Sequence, residues 1–306
     1  MSRDSEQSCR EPRSFGARIR RLGQFPIEQQ HRFPPDAPNF LSRQSHGKIT
    51  GAEHRLDGRL RKFLVGYKAW RQNARLSDGM TLADLLHAYA SYPTIQLNAG
   101  LAAVALAATA WFFDSALRLM LGAVIALVVF SIVEYVFHRF VLHGSWLYRH
   151  KATAALWKRV HYDHHQDTRD LSVMFGDPKT TLPPIVVIAI PLGWLVDGPA
   201  GAAFGVFCGI MLTSVYEFCH LYQHVPYEPE NAYLRRLKKR HLAHHFHNET
   251  GNFGITTPVW DVLLGTNYES NRERPRSANV RHLGYAGDEA ERFPWVMELS
   301  DPGTRR

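Results

Sequence analysis

Cysteine is scarce in this chain. There are three in 306 residues (Cys9, Cys208 and Cys219) and no Cys-x-x-Cys. An odd, unclustered count excludes a disulfide framework and argues against a thiolate metal site. Cys208 and Cys219 fall in an apolar run and read as small buried hydrophobes. His-Glu-x-x-His is also absent, which removes the usual helix of a zinc hydrolase. The first 30 residues hold no apolar core of a signal peptide, so no cleaved secretory leader is expected.

Charge is missing from long stretches. "LNAGLAAVALAATAWFF" (97–113) has none, and "LMLGAVIALVVFSIVEYVF" (119–137) has only Glu134. "TLPPIVVIAIPLGWLV" (181–196) and "PAGAAFGVFCGIMLTSVYEFC" (199–219) follow, with only Asp197–Gly198 between them. A bilayer span needs roughly 20 apolar residues. The second and fourth runs are long enough. The first is marginal, and the third is short and carries Pro183, Pro184 and Pro191, so it spans or re-enters. A soluble helical bundle is the alternative, but paired runs with short connectors favour membrane hairpins. The expectation is an all-α integral membrane protein with four transmembrane helices in two hairpins.

The net charge is +8, and its placement matters more than its size. Lys and Arg collect in the N-terminal region, in 138–180 and in 225–306. The positive-inside rule then places both termini and both large polar segments on the cytoplasmic side. Cations that border apolar spans, with no nucleic-acid motif, exclude a nucleic-acid partner. Residues 1–79 read as a basic, partly disordered N-terminal region. Within it "RLRKFLVGYKAW" (59–70) reads as an amphipathic helix on lipid or a short soluble one. Residues 80–94 read as an interfacial helix ended by Pro93, 95–270 as the membrane-embedded catalytic domain, and 271–306 as a C-terminal tail.

Histidine is abundant, with 17 residues. His-x-x-His-His occurs twice, as "HYDHH" (161–165) and "HLAHH" (241–245), where random placement gives about 0.05 copies per chain. Each copy ends a larger repeat. The first unit is an apolar hairpin, Glu134, "HRFVLH" (138–143), then "HYDHH". The second is an apolar hairpin, Glu217, "HLYQH" (220–224), then "HLAHH". On an α-helix, positions i, i+3 and i+4 share a face, so each triad is expected to point one way. His220 and His224 also share a face. His138 and His143, five apart, do not, which predicts that the second span ends between them or opens into a π-bulge.

Imidazole suits Fe, Zn, Cu and Ni. Ten clustered histidines exceed what one metal takes and fit two metals with about five ligands each. Iron makes redox sense of such a site, whereas zinc implies hydrolysis. His31, His46, His54, His87, His150 and His282 read as ordinary residues, and His247 lies on a different helical face from the second triad. Glu134 and Glu217 read either as acceptors of a ligand's second N–H or as helix-packing groups.

"EYVFHRFVLH", "HYDHH", "EFCHLYQH", "HLAHH" and the closing "NFGITTPVWDVLLGT" (252–266) resemble the fatty acid hydroxylase superfamily of membrane non-heme di-iron enzymes. The resemblance covers about 95–270 and is nearest the fatty acid 2-hydroxylase branch. It implies that His138, His143, His161, His164, His165, His220, His224, His241, His244 and His245 bind two iron ions, with zinc possible in isolated protein. It implies O2 and two electrons as co-substrates and hydroxylation of a membrane lipid. A lipid or sterol desaturase and a carotenoid hydroxylase are alternatives within the superfamily. A non-catalytic metal-binding or transport protein is a further one. No His-Pro-Gly-Gly haem motif occurs, so an external electron donor is expected rather than a fused cytochrome b5. "QDTRDLSVMFGDP" departs from the branch's Pro-x-Asp-x-x-Arg-Leu, which leaves the substrate open. The Arg- and Ala-rich composition favours the bacterial cytoplasmic membrane over the endoplasmic reticulum.

Overall fold

The computed structural model describes residues 81–168 and 173–299. The basic region 1–79, with its 59–70 segment, lies outside the described residues. Among the described residues every regular element is helical.

Helix α1 (Leu82–Ala90) starts at a capping box: Thr81 accepts from the Asp84 backbone, and the Asp84 carboxylate accepts from Thr81. Pro93 does not simply end this helix. It begins the next one, α2 (Pro93–Trp111), after an extended Tyr92. A fixed φ and a missing N–H cost nothing in a first helical turn. Ser115 caps α3 (Ala116–Val136) by accepting from the Arg118 backbone.

The 181–196 and 199–219 runs both lie in α7 (Pro178–His224), which is interrupted by non-helical Asp197 (φ −153°, ψ 40°) and Gly198 (φ 52°, ψ −137°). That Gly198 conformation is one that only glycine adopts readily. The chain reverses there. Gly193 and Gly201 approach so closely that a Cβ on either would overlap the other's carbonyl, and Gly205 and Gly209 face Ala189 and Ile185. Small residues let two helical legs touch in this way. The Asp197 carboxylate accepts from the Arg118 guanidinium at 3.1 Å, and Arg118 also pairs with Asp114 at 2.7 Å. The α2–α3 connector and the α7 reversal are thus tied together.

Among the described residues, three helices are long and apolar enough to cross a bilayer: α2, α3 with its π-helical extension to Leu142, and α7. Their outward side chains are large and apolar; Leu117 is 75% exposed, Val187 71% and Leu195 82%. Apolar surface on that scale belongs in lipid. The protein is a membrane protein.

The remaining helices are short or polar: α4 (Trp146–Arg149), α5 (Lys151–Trp157), α6 (Asp163–Gln166), α8 (Ala232–Phe246), α9 (Val259–Leu263), α10 (Asp288–Arg292) and α11 (Trp295–Glu298). One buried cluster joins Leu147, Tyr148 and Trp157 to Tyr285 and Val296. A second joins Leu85, Phe175, Leu221, Tyr222 and Ile255.

Candidate metal centre

The five-residue step from His138 to His143 is built by a π-helix. Beyond Val136 the backbone widens over Phe137–Leu142, and the His143 N–H donates to the His138 carbonyl at 3.2 Å, an i→i+5 bond. The wider turn brings the two rings to 5.1 Å between centroids. The Trp157 indole N–H donates to the Leu142 carbonyl at 2.9 Å and satisfies an acceptor at the end of that turn.

The first triad corrects the single-face expectation. His161 sits in a second π segment, Lys158–Tyr162, while His164 and His165 occupy the short α6. The π turn shifts the angular register, so His161 and His164 address different neighbours. The second triad lies on regular α8 and also divides. Adjacent positions on an α-helix are about 100° apart, enough for His244 and His245 to serve two centres side by side.

Two groups result. His164, His220, His224, His241 and His245 form one, and His138, His143, His161 and His244 the other; within each, one ligand atom per residue lies within 4.8 Å of all the others. His165 joins His244 and His245 in a third, overlapping group. Its ring is 4.1 Å from that of His245 and 4.6 Å from that of His161. All ten histidines singled out by the repeat therefore converge, with His165 between the two groups. His247 turns away and contacts the Arg274 carbonyl through Nε2 at 2.8 Å.

Backbone carbonyls orient the rings. Nδ1 of His138 faces the Phe253 carbonyl at 2.5 Å, and Nδ1 of His244 that of Gly251 at 2.8 Å. Nδ1 of His165 faces the Val280 carbonyl at 2.9 Å, and Nδ1 of His220 that of Met174 at 3.3 Å. A ring that donates from Nδ1 keeps its Nε2 lone pair for a metal.

Glu134 and Glu217 support these carbonyls at one remove. Glu134 accepts from the Ile255 and Thr256 backbones at 2.6 and 2.9 Å and from the Thr256 hydroxyl. Glu217 accepts from the Gly176 backbone at 2.9 Å. In each unit the clamped N–H lies two residues after the carbonyl that holds the histidine: Ile255 after Phe253, Gly176 after Met174. Neither acid touches a histidine N–H directly, so each holds a loop and the loop's carbonyl holds the ring.

The stretch "NFGITTPVWD" owes its spelling to this loop. Asp261 accepts from the Phe253 and Gly254 backbones at 2.9 and 2.8 Å, and a Cβ on Gly254 would overlap the Thr257 carbonyl. Asn252 takes φ 59° and pairs with the Tyr268 backbone in both directions at 3.0 Å. Arg240, beside His241, is buried against Asp261 at 3.2 Å and Glu269 at 3.0 Å. That pair fastens α8 to the loop that holds His138. Sequence reading missed Arg240 and the carbonyls of Met174, Gly251, Phe253 and Val280. The only available signal was Asp261 in the closing motif, because backbone acceptors carry no residue signature.

The histidines suit a cation. Burial, and then neighbouring imidazoles, push His143, His161, His164, His241, His244 and His245 well below their ordinary 6.5, and burial brings His165 down to about 3. They are neutral, the ligand form. Nε2 of His143 lies 2.8 Å from that of His161 and 3.0 Å from that of His244. Nε2 of His164 lies 2.9 and 3.1 Å from those of His220 and His224, and Nε2 of His224 lies 2.7 Å from that of His241. Two nitrogens at right angles, each about 2.1 Å from one ion, stand about 3 Å apart. Nε2 of His138 and of His165 and both ring nitrogens of His245 are buried with no protein partner. A shared cation satisfies these atoms and relieves facing lone pairs, so the donor set fits a metal in each group.

A cavity of about 620 Å³ opens onto both groups. It runs between α3 and α7, from Gly122, Val196 and Gly201 to His138, His161, His164 and His220. Glu217, Lys179 and Thr180 line its histidine end.

The fold and site together define a membrane protein of apolar helices that end in paired histidine clusters. Residues 123–266 match the family described as fatty acid hydroxylase. It is 32% identical over 145 residues to the ceramide very long chain fatty acid hydroxylase SCS7 of Saccharomyces cerevisiae, covering 45% of this chain and 35% of the relative. It is 30% identical over 152 residues to the dihydroceramide fatty acyl 2-hydroxylase FAH1 of Arabidopsis thaliana, covering 47% and 59%. The matched stretch thus spans about a third to three fifths of these relatives' length. A solved structure described as full length scs7p, with only the hydroxylase domain visible, superposes with a TM-score of 0.49 at 25% identity over 60% of this chain and 66% of that one.

Proposed function

We propose that this protein is a membrane monooxygenase that inserts one atom of O2 into a C–H bond of a lipid acyl chain. Two iron ions serve it, bound by the ten histidines 138, 143, 161, 164, 165, 220, 224, 241, 244 and 245. The observation that carries this reading is the apolar cavity leading from between α3 and α7 into both histidine groups. Its relatives' names point to fatty acyl chains, including those of ceramides.

When bound, the iron pair would supply reductive activation of O2, with two electrons from a separate donor protein and two protons carrying the second oxygen atom away as water. The chain supplies placement. Ile125, Val129, Phe130, Ile188 and Leu192 line an apolar path that aligns a hydrocarbon and keeps out water. Lys179 and Thr180 give the histidine end a polar rim. A lipid bound with its polar group there puts carbons close to that group beside the metals, so oxidation falls near the polar end of the chain.

In the membrane, the four apolar legs of α2, α3 and the two halves of α7 span as two hairpins. The histidine layer forms a cap on the cytoplasmic face, because the Lys- and Arg-rich segments lie at that end. The bacterial cytoplasmic membrane is the favoured location.

Mass spectrometry of lipids from cells with and without the gene tests the reading. The expected product is one oxygen heavier than its precursor and is absent with His164→Ala. A product two hydrogens lighter identifies a desaturase instead, and identical lipid profiles contradict both.

A further inference from the structure

The far end of the cavity carries information about its occupant. Glycines 122, 193, 201, 205 and 209 line it. A Cβ on Gly193 or Gly201 would strike the opposite leg of α7. On Gly205 it would lie 2.8 Å from the Ala189 carbonyl oxygen, and on Gly209 2.7 Å from the Ile185 side chain. These four glycines are needed for helix packing. Gly122 is different: a Cβ there meets only Phe204 at 3.7 Å and Val196 at 3.9 Å, ordinary contacts. Packing does not require glycine at 122, and the missing side chain leaves depth in the cavity.

That depth can be measured along α3. Gly122 and His138 both line the cavity, sixteen residues apart. At about 1.5 Å per helical residue they are about 24 Å apart. One leaflet of a bilayer is about 15 Å of hydrocarbon, half the core thickness. The path is therefore deeper than a leaflet and about as long as an extended acyl chain of roughly eighteen to twenty carbons. Ile125, Ala126, Leu192 and Val196 around its floor are uncharged, so the floor suits a methyl terminus.

We propose that Gly122 is the depth stop of the acyl site and that the protein selects acyl chains of about this length, methyl end against Gly122 and Val196. The inference rests on the lipid-hydroxylase reading for the identity of the occupant, but its test does not depend on turnover.

The test is displacement of a fluorescent fatty acid from the purified full-length protein by a ladder of saturated straight-chain fatty acids. In the wild type, affinity is expected to rise roughly fourfold per added methylene up to about eighteen to twenty carbons and then level off. Gly122→Leu should move that plateau about three carbons shorter and weaken the longest chains at least tenfold. Gly122→Ala should move it by about one carbon in the same direction and serves if the leucine variant does not fold. Val124→Leu, on the lipid-facing side of α3 where Val124 is 58% exposed, should leave the profile unchanged. An unchanged plateau in folded Gly122→Leu, or an equal shift in Val124→Leu, overturns the depth stop. A wild type that shows the plateau but hydroxylates no lipid contradicts the proposed function while leaving the depth stop standing.

Discussion

The two histidine-bearing units perform the same task with different helices. The second unit uses regular α geometry: His220 and His224 are four apart on α7, and His241 and His245 are four apart on α8. The first unit uses π geometry twice, at Phe137–Leu142 and at Lys158–Tyr162. The spelling follows the backbone. A four-residue step continues an α-helix, whereas the five-residue step His138–His143 needs the wider turn. The units are also interleaved: the first contributes His164 to the five-histidine group, and the second contributes His244 to the four-histidine group. Neither unit alone supplies all the histidines of either group.

Interleaving can be broken at its two crossing points. His164→Ala and His244→Ala should each reduce product below detection and lower iron content from two ions to about one or fewer. Metal analysis of the purified variants, alongside lipid mass spectrometry, checks this. Normal turnover in either variant would mean that one group suffices.

The next largest effect is expected from Arg240→Ala. It strands Asp261 in a buried pair that ties the second unit's α8 to the loop holding the first unit's His138. Breaking such a pair costs about 3–5 kcal/mol. Thermal unfolding in detergent should show a large fall in Tm with loss of metal from both groups, because the strap joins the units.

The two glutamates give a graded comparison. Glu134 accepts three hydrogen bonds, from Ile255, Thr256 and the Thr256 hydroxyl, whereas Glu217 has one protein partner, Gly176. Each buried donor left unsatisfied costs about 1–3 kcal/mol. Glu134→Ala should therefore destabilise by about 3 kcal/mol or more and Glu217→Ala by about 1–2 kcal/mol, read from denaturant or thermal unfolding. Equal losses would mean that the acids act on the histidines by some route other than these loops.

The smallest effect is that of pH on metal-free protein. The buried imidazoles of His161, His165 and His244 ionise below their unfolded value of 6.5, with His165 near 3. Below about pH 6.5 the unfolded chain binds more protons than the folded one, so stability falls as pH falls and is fully present above that value. Tm measured from neutral pH downward should decline, and the decline should weaken when His165 is replaced by Gln.

Much of this was legible from side-chain spacing. The apolar runs gave the helices that can cross a bilayer, and the repeated boxes gave all ten converging histidines. The step from His138 to His143 required a break from α geometry, and the π-helix is one of the two solutions it allowed. Three features were not legible. Pro93 could end one helix or begin the next, and only the extended Tyr92 decides. "HYDHH" reads as one α-helical face, because the π turn that separates His161 from His164 has no residue signature. The carbonyls of Met174, Gly251, Phe253 and Val280 are backbone groups, and which of them meets a histidine depends on where the chain is led.

The central claim is that two units, one π-helical and one α-helical, share two metals between them. Anomalous diffraction at the iron edge from crystals of the iron-loaded protein tests it most directly. The account predicts two peaks, one among His164, His220, His224, His241 and His245, and the other among His138, His143, His161 and His244. A single peak, or two peaks each confined to histidines of one unit, would contradict it.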